Sequence, residues 1–382
     1  MVTKSGQTEL SKEDSRNYGL DVLKILSMVF VVILHALGQG GMMNKGSMGM
    51  QFAVLALFYI TTPAVNIFAL VTGYVSFTEK KKPLNRKRLF EMWFQVVFYA
   101  LLITSICRFV IPDVVTTRDF ASSVMPLYYD IYWYFTAYFL VSVLSPFINA
   151  AVRALPVPTL RKVFFVMIFL FSFFTSFCYS LNILTSHTFT WIFLLYIMGA
   201  IMKKCHIGES LPSSVLVTGI ILCNFFNWII TWVGEKYVSG SDWYFTVLSD
   251  YISPTMVIQT VFYLLLFRKI KAGGFAKKVI KFFAPLVFAT YLIDTHPVIY
   301  RDVMDGLFTP LTEWNVFLMI LFLIGFGIVF VAAACIVDKI RSLLFKLIRI
   351  DKLAIRIAGL TVRITDAIAR VSLTGKDISQ DK

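Results

Sequence analysis

The chain has 382 residues, 58% of them apolar, and a mean hydropathy of +0.75. That apolar share lies well above the level of soluble domains, and long apolar runs recur from Leu20 to about Leu347, so the expected fold is all-α and polytopic in a membrane. A formal net charge of +14 raises nucleic acid as a partner, but the placement of the charge argues for topology instead, and a transmembrane β-barrel is excluded because its strands alternate over short stretches.

In chain order, a polar segment (1–19) precedes ten expected spans: 20–38, 51–76, 89–110, 131–150, 163–181, 188–202, 213–233, 249–267, 282–301 and 315–337. The opening does not read as a cleaved signal peptide, because about 19 polar residues precede the first apolar run. With the N-terminus inside, the loops 79–88, 153–162, 203–210 and 268–281 and the two ends hold 30 of the 36 Lys and Arg. The outer loops hold four, Lys45, Arg118, Lys236 and Arg301. Alternation of this kind sets topology, and attraction to anionic membrane lipid is a second effect. Nucleic acid is therefore not an expected partner. The tail (338–382) repeats Leu and Ile at helical spacing with Lys and Arg between, the pattern of a basic amphipathic helix on the cytoplasmic surface. Five cysteines lie in or beside apolar runs without metal spacing, so neither a disulfide framework nor a metal site is expected.

The first span, "LDVLKILSMVFVVILH" (20–35), carries polar groups near both ends. Lys24 and His35 are eleven residues apart, so at about 100° per residue they project from nearly one face, about 16 Å apart along the axis. Asp21 falls about 40° from His35 on that face. Such a stripe faces protein or water, not lipid. A molecule with an anionic head and a long arm fits this ruler, and coenzyme A has that shape. The cation would hold phosphates, and the imidazole would meet the thioester as general base or acyl carrier. The plainer alternative is that Lys24 snorkels to the interface and His35 bonds a neighbouring helix.

"RNYGLDVLKILSMVFVVILH" (16–35) resembles the opening helix of membrane acyltransferase family 3, with Arg16, Leu20–Asp21, Lys24 where the family usually has Arg, and His35. "FALVTGYVSF" (68–77), "YWYFTAYFLVSVLSPFIN" (132–149), "WIFLLYIMGAIMKK" (191–204) and "ATYLIDTHPVIYR" (289–301) resemble later family segments. Two positions depart from the pattern. Arg88 is followed by Glu91 where the family often carries Arg-x-x-Arg, and Asp294 stands where the ninth span usually has His. The resemblance implies transfer of an acyl group, usually acetyl from acetyl-CoA as donor substrate, to a carbohydrate hydroxyl. The acceptor would be an envelope glycan or lipid-linked saccharide at the plasma membrane, and the chain would be a stand-alone member without an appended extracytoplasmic SGNH-like domain.

The candidate catalytic residues are His35, Asp21 and His296. His296 lies about 15 residues into the ninth span, so at 1.5 Å per residue it reaches about the same depth as His35. Asp294 or Asp21 would orient the imidazole. On an ideal helix Asp294 and His296 are about 200° apart and share no cavity unless Pro297 distorts the turn. Lys24, Arg16, Arg86 and Arg88 are the candidates for gripping the donor phosphates. Tyr132, Trp133 and Tyr138 are candidates for a sugar platform, against their plainer reading as an interfacial belt, and Asp294 is a further candidate on the acceptor side. His187 and His206 read as solvated surface. A competing function is a proton-coupled secondary transporter with His35, Asp21 and Asp294 as a relay, weakened by the lack of a second copy of the stripe. The acceptor, the acyl chain and the oligomeric state are not written in the sequence.

Overall fold

The structure is a computed structural model that describes residues 16–178, 184–237 and 247–377, with side chains to residue 367. Most of the N-terminal segment, the end of the fifth span (179–181) and the last residues of the tail lie outside the described residues. The described residues are helical with no strand. Their helices are α1 (Tyr18–Leu37), α2 (Met48–Thr61), α3 (Ala64–Ser76), α4 (Arg86–Val110), α5 (Thr117–Val124), α6 (Trp133–Ala154) and α7 (Val157–Ile168). There follow α8 (Phe189–Cys205), α9 (Ser213–Tyr237), α10 (Pro254–Phe267), α11 (Gly274–Phe283), α12 (Phe288–Asp294), α13 (Val316–Leu347) and α14 (Ile350–Asp377).

Among the described residues, eight helical stretches are long and apolar enough to cross a membrane. Two of the ten expected spans differ from this simple form. The sixth is α8, a helix of 17 residues. The ninth is broken: α12 ends at Asp294, Thr295 folds its hydroxyl back to the Tyr291 carbonyl, and a π-helical turn (Ile299–Val303) follows Pro297. Proline lacks the N–H that would carry the ladder through, so the break falls where the chemistry dictates. The second span is interrupted at Pro63, between α2 and α3.

The chain forms two compact units. The first runs up to Lys82 and from Tyr132 to Cys335; the second is Pro83–Ile131 with Ile336 onward. In the first, α8 is the hub, packed on α3, α6 and α7. Its contact with α3 depends on paired small residues. A Cβ at Gly73 would run into the Tyr196 backbone, and one at Gly199 into the Leu70 carbonyl. This is the close approach through glycine that membrane helices use where no hydrophobic driving force separates helix from lipid. Leu20, Leu23, Leu70, Trp191 and Leu195 fill the core, and Trp191 donates its Nε1–H to the Asn66 side chain at 2.9 Å. Outward, Phe147 on α6, Phe165 on α7 and Leu222 on α9 remain exposed, as lipid-facing surfaces require.

In the second unit α4 packs along α14. Asp338 is buried there, accepting from Gln95, Tyr99 and Arg341. Three donors offset the cost of burying that carboxylate. The tail expected from 338 thus begins as the last turns of α13, and becomes a separate helix only after Arg349, whose φ is 59°.

Candidate active site

α1 is pinned at both ends, and this is what gives its polar residues fixed positions. At its start Asn17 caps the helix by accepting from the Leu20 N–H at 3.1 Å, and donates from its side chain to the Arg268 carbonyl at 2.8 Å. Gly19 lies so close to the end of α10 that a Cβ would strike the Phe267 carbonyl. At its far end the glycine-rich turn 38–41 is stitched to the segment after the ninth span. The Gly306 N–H donates to the Gln39 carbonyl at 3.1 Å and the Phe308 N–H to the Gly40 carbonyl at 2.9 Å. Gly41 has φ 79°, and a Cβ on Gly40 would strike the Ala36 carbonyl and the Phe308 ring. Only glycine fits both positions without strain.

That stitching brings His35 against the break in the ninth span. His35 Nδ1 and Asp294 Oδ2 are 2.5 Å apart. Asp294 is fully buried and the His35 side chain is 19% exposed. The Tyr300 ring stands edge-on to the imidazole, 5.1 Å between centres. With the carboxylate accepting, the ring proton sits on Nδ1 and Nε2 keeps its lone pair, the arrangement that makes a histidine a directed base. The other carboxylate oxygen, Oδ1, is buried without a hydrogen-bond partner in the structure.

His296 is buried 6.4 Å from the Tyr132 ring, and Tyr132 donates its hydroxyl to the Leu292 carbonyl at 3.1 Å. Tyr132 is 1% exposed, so it is an interior residue at the broken span and not part of an interfacial belt. Trp133 and Tyr138 are half-buried, and Trp133 packs 4.9 Å from the His187 ring. His187 also bonds Ser186, and His206 is exposed with its Nδ1 3.0 Å from Glu209.

Asp21 is not in this group. It lies at the opposite end of α1, about 21 Å from His35 at 1.5 Å per residue. There Arg16 Nε bonds it at 2.6 Å and Lys24 Nζ stands 3.8 Å away. Arg86 and Arg88 belong to the second unit. Arg86 donates to Thr361 at 3.3 Å, Arg88 is exposed, and Lys87 pairs with Glu91 at 3.4 Å. The structure therefore unites His35 with Asp294, and Arg16 with Lys24 and Asp21, as two separate clusters at opposite ends of α1. Tyr300 and the 38–41 turn were not anticipated. The signal for the turn was present in "GQGG" directly after the first span.

The multi-pass helical bundle thus carries a buried imidazole–carboxylate pair near one end of its first span and two cations on a carboxylate near the other. The comparison with known families gives this arrangement a class. The chain belongs to the acyltransferase 3 family: the model of that family, described as an acyltransferase domain, matches residues 17–338. It is an acyltransferase by this membership. No curated protein and no solved structure matches it.

Proposed function

We propose that this multi-pass protein moves an acyl group, acetyl in the first instance, from cytosolic acyl-CoA to a hydroxyl of an envelope glycan or lipid-linked saccharide at the plasma membrane. Both termini face the cytoplasm and ten segments enter the membrane, the broken ninth among them. The reading rests on one observation: His35, near one end of α1, meets Asp294 of α12 at 2.5 Å, while Lys24 of α1 and Arg16, just before it, gather on Asp21 at the other end. Asp294 holds the imidazole by Nδ1. His35 Nε2 takes the proton of the acceptor hydroxyl as its oxygen attacks the thioester carbonyl. The C–S bond then breaks, and the proton passes from Nε2 to the leaving thiolate, so the base returns to its starting state. Arg16 and Lys24 hold the donor phosphates. The transporter reading gains nothing, since Asp21 is apart from His35 and Asp294.

The test is mass spectrometry of envelope glycans with and without the protein, looking for a lost ester, combined with two variants. His35→Ala is expected to abolish transfer while the protein remains folded in the membrane. Lys24→Ala is expected to raise KM for the CoA donor with little change in acceptor use. Full activity in His35→Ala would reject the mechanism, and selective loss of acceptor use in Lys24→Ala would reverse the assignment of the two ends.

A further inference from the structure

Beside the first turn of α1 lies a second helix that the donor end described so far does not use. α11 is short and basic, with Lys277, Lys278 and Lys281 in ten residues. Ile280 is its buried contact, and Lys277, three residues earlier, lies on the same face. The Lys277 ammonium stands 5.5 Å from the centre of the Tyr18 ring, and the Arg16 guanidinium stands 5.5 Å from that same centre. Two cations are thus held on one aromatic ring at the start of a 20-residue helix.

Like charges so arranged repel unless an anion is shared between them. Asp21 is the carboxylate here, and it is engaged by Arg16 at 2.6 Å and approached by Lys24 at 3.8 Å. Among the described residues no carboxylate pairs with Lys277, so the three cations exceed the one acid by two charges. The start of α1 adds the positive end of the helix dipole. Tyr18 is 7% exposed and its hydroxyl, shut from solvent, has no hydrogen-bond partner in the structure. Excess charge beside a helix start suits a compact group with two negative charges and several acceptor oxygens.

We propose that Lys277 and Arg16, across the ring of Tyr18, form the seat of a phosphate group of the acyl-CoA donor. The inference rests on the donor reading above and adds α11 and Tyr18 to it. Phosphate chemistry is shared by the donor and by anionic lipid headgroups, and the seat is assigned to the donor because it shares Arg16 with the donor end of α1, the helix that carries His35.

The experiment measures CoA and pantetheine binding by calorimetry to the full-length protein in nanodiscs of zwitterionic phosphatidylcholine. Lys277→Ala is expected to weaken CoA binding about tenfold, the scale of one charge-assisted phosphate contact. Lys277→Arg should stay near the wild type, Lys278→Ala should leave CoA binding unchanged, and pantetheine, which lacks phosphate, should bind all four proteins alike. Equal CoA affinity in wild type and Lys277→Ala would overturn the inference while leaving the donor reading intact. Absence of CoA binding to the wild type would overturn the donor reading and the seat with it. If native mass spectrometry shows Lys277→Ala losing bound phosphatidylglycerol while its CoA affinity holds, the seat belongs to lipid and the inference is overturned.

Discussion

The two ends of α1 carry the same chemical pairing in opposite surroundings. At one end Asp294 is sealed from solvent and faces a single partner, His35. At the other, Asp21 is partly open and divides itself between Arg16 and Lys24, both of which reach solvent. A pair in a dry site is electrostatically strong and geometrically fixed, so it can hold one tautomer of one ring. A pair in water is screened, worth little as a structural contact, and free to exchange its partner for a ligand. The first suits catalysis and the second suits capture of a charged substrate. The difference lies in burial, since the residue types are nearly alike.

The sharpest way to break that contrast is Asp294→Asn. An amide that donates to Nδ1 forces the ring proton onto Nε2, the atom that accepts in the proposed step. A fall in kcat of about a hundred- to ten-thousand-fold is expected, as for orienting carboxylates in general, with KM for the donor little changed. Thermal stability should hold, because the amide keeps one hydrogen bond to Nδ1 and the buried carboxylate is replaced by a neutral group of the same shape. A melting temperature that collapses in parallel with activity would make the pair structural instead.

The sequence carried this contrast unevenly. The aligned stripe of Asp21, Lys24 and His35 followed from helical periodicity, because α1 is an unbroken helix of 20 residues. Its acyltransferase character was also legible. The pairing of His35 with Asp294 spans 259 positions, and no local pattern fixes such a distance. It depends on two things that periodicity hides: the stitching of the 38–41 turn to residues 306–309, and the interruption of the ninth span before Pro297. Helical arithmetic also cast Asp21 as a possible orienting group because it shares a face with His35. The axial separation along the same helix keeps the two apart.

Asp21→Asn tests the open end. If Asp21 only tempers the charge of Arg16 and Lys24, removing it strengthens donor capture. KM for the CoA donor should fall about two- to fivefold at low salt, with the gain vanishing near 1 M salt as screening takes over, and kcat should stay within about twofold. A large loss of kcat would restore Asp21 to the catalytic group and erase the distinction between the two ends.

The smallest expected effect lies in a third carboxylate, which shows how a partly open pair responds to pH. Glu209 accepts from Tyr74 at 2.7 Å, lies 2.8 Å from Arg268 and meets His206 at 3.0 Å. Burial alone would raise its carboxyl, but the hydrogen bonds from Tyr74 and His206 and the charge of Arg268 outweigh burial and hold it below its ordinary value of 4.5. A group lowered in the folded state contributes stability that is present above its unfolded value and lost as pH falls through the folded one. The wild type should therefore lose stability below about pH 4.5 more steeply than Glu209→Gln, whose stability is lower by about 1 kcal/mol near neutrality. Thermal melts of both proteins in the same detergent from pH 3 to pH 7, roughly the range over which carboxylates titrate, should give converging curves at the acid end. Curves that stay parallel would show that Glu209 is solvated like any surface acid. The rule that burial sets the role of a carboxylate in this protein would then apply only to the site at His35.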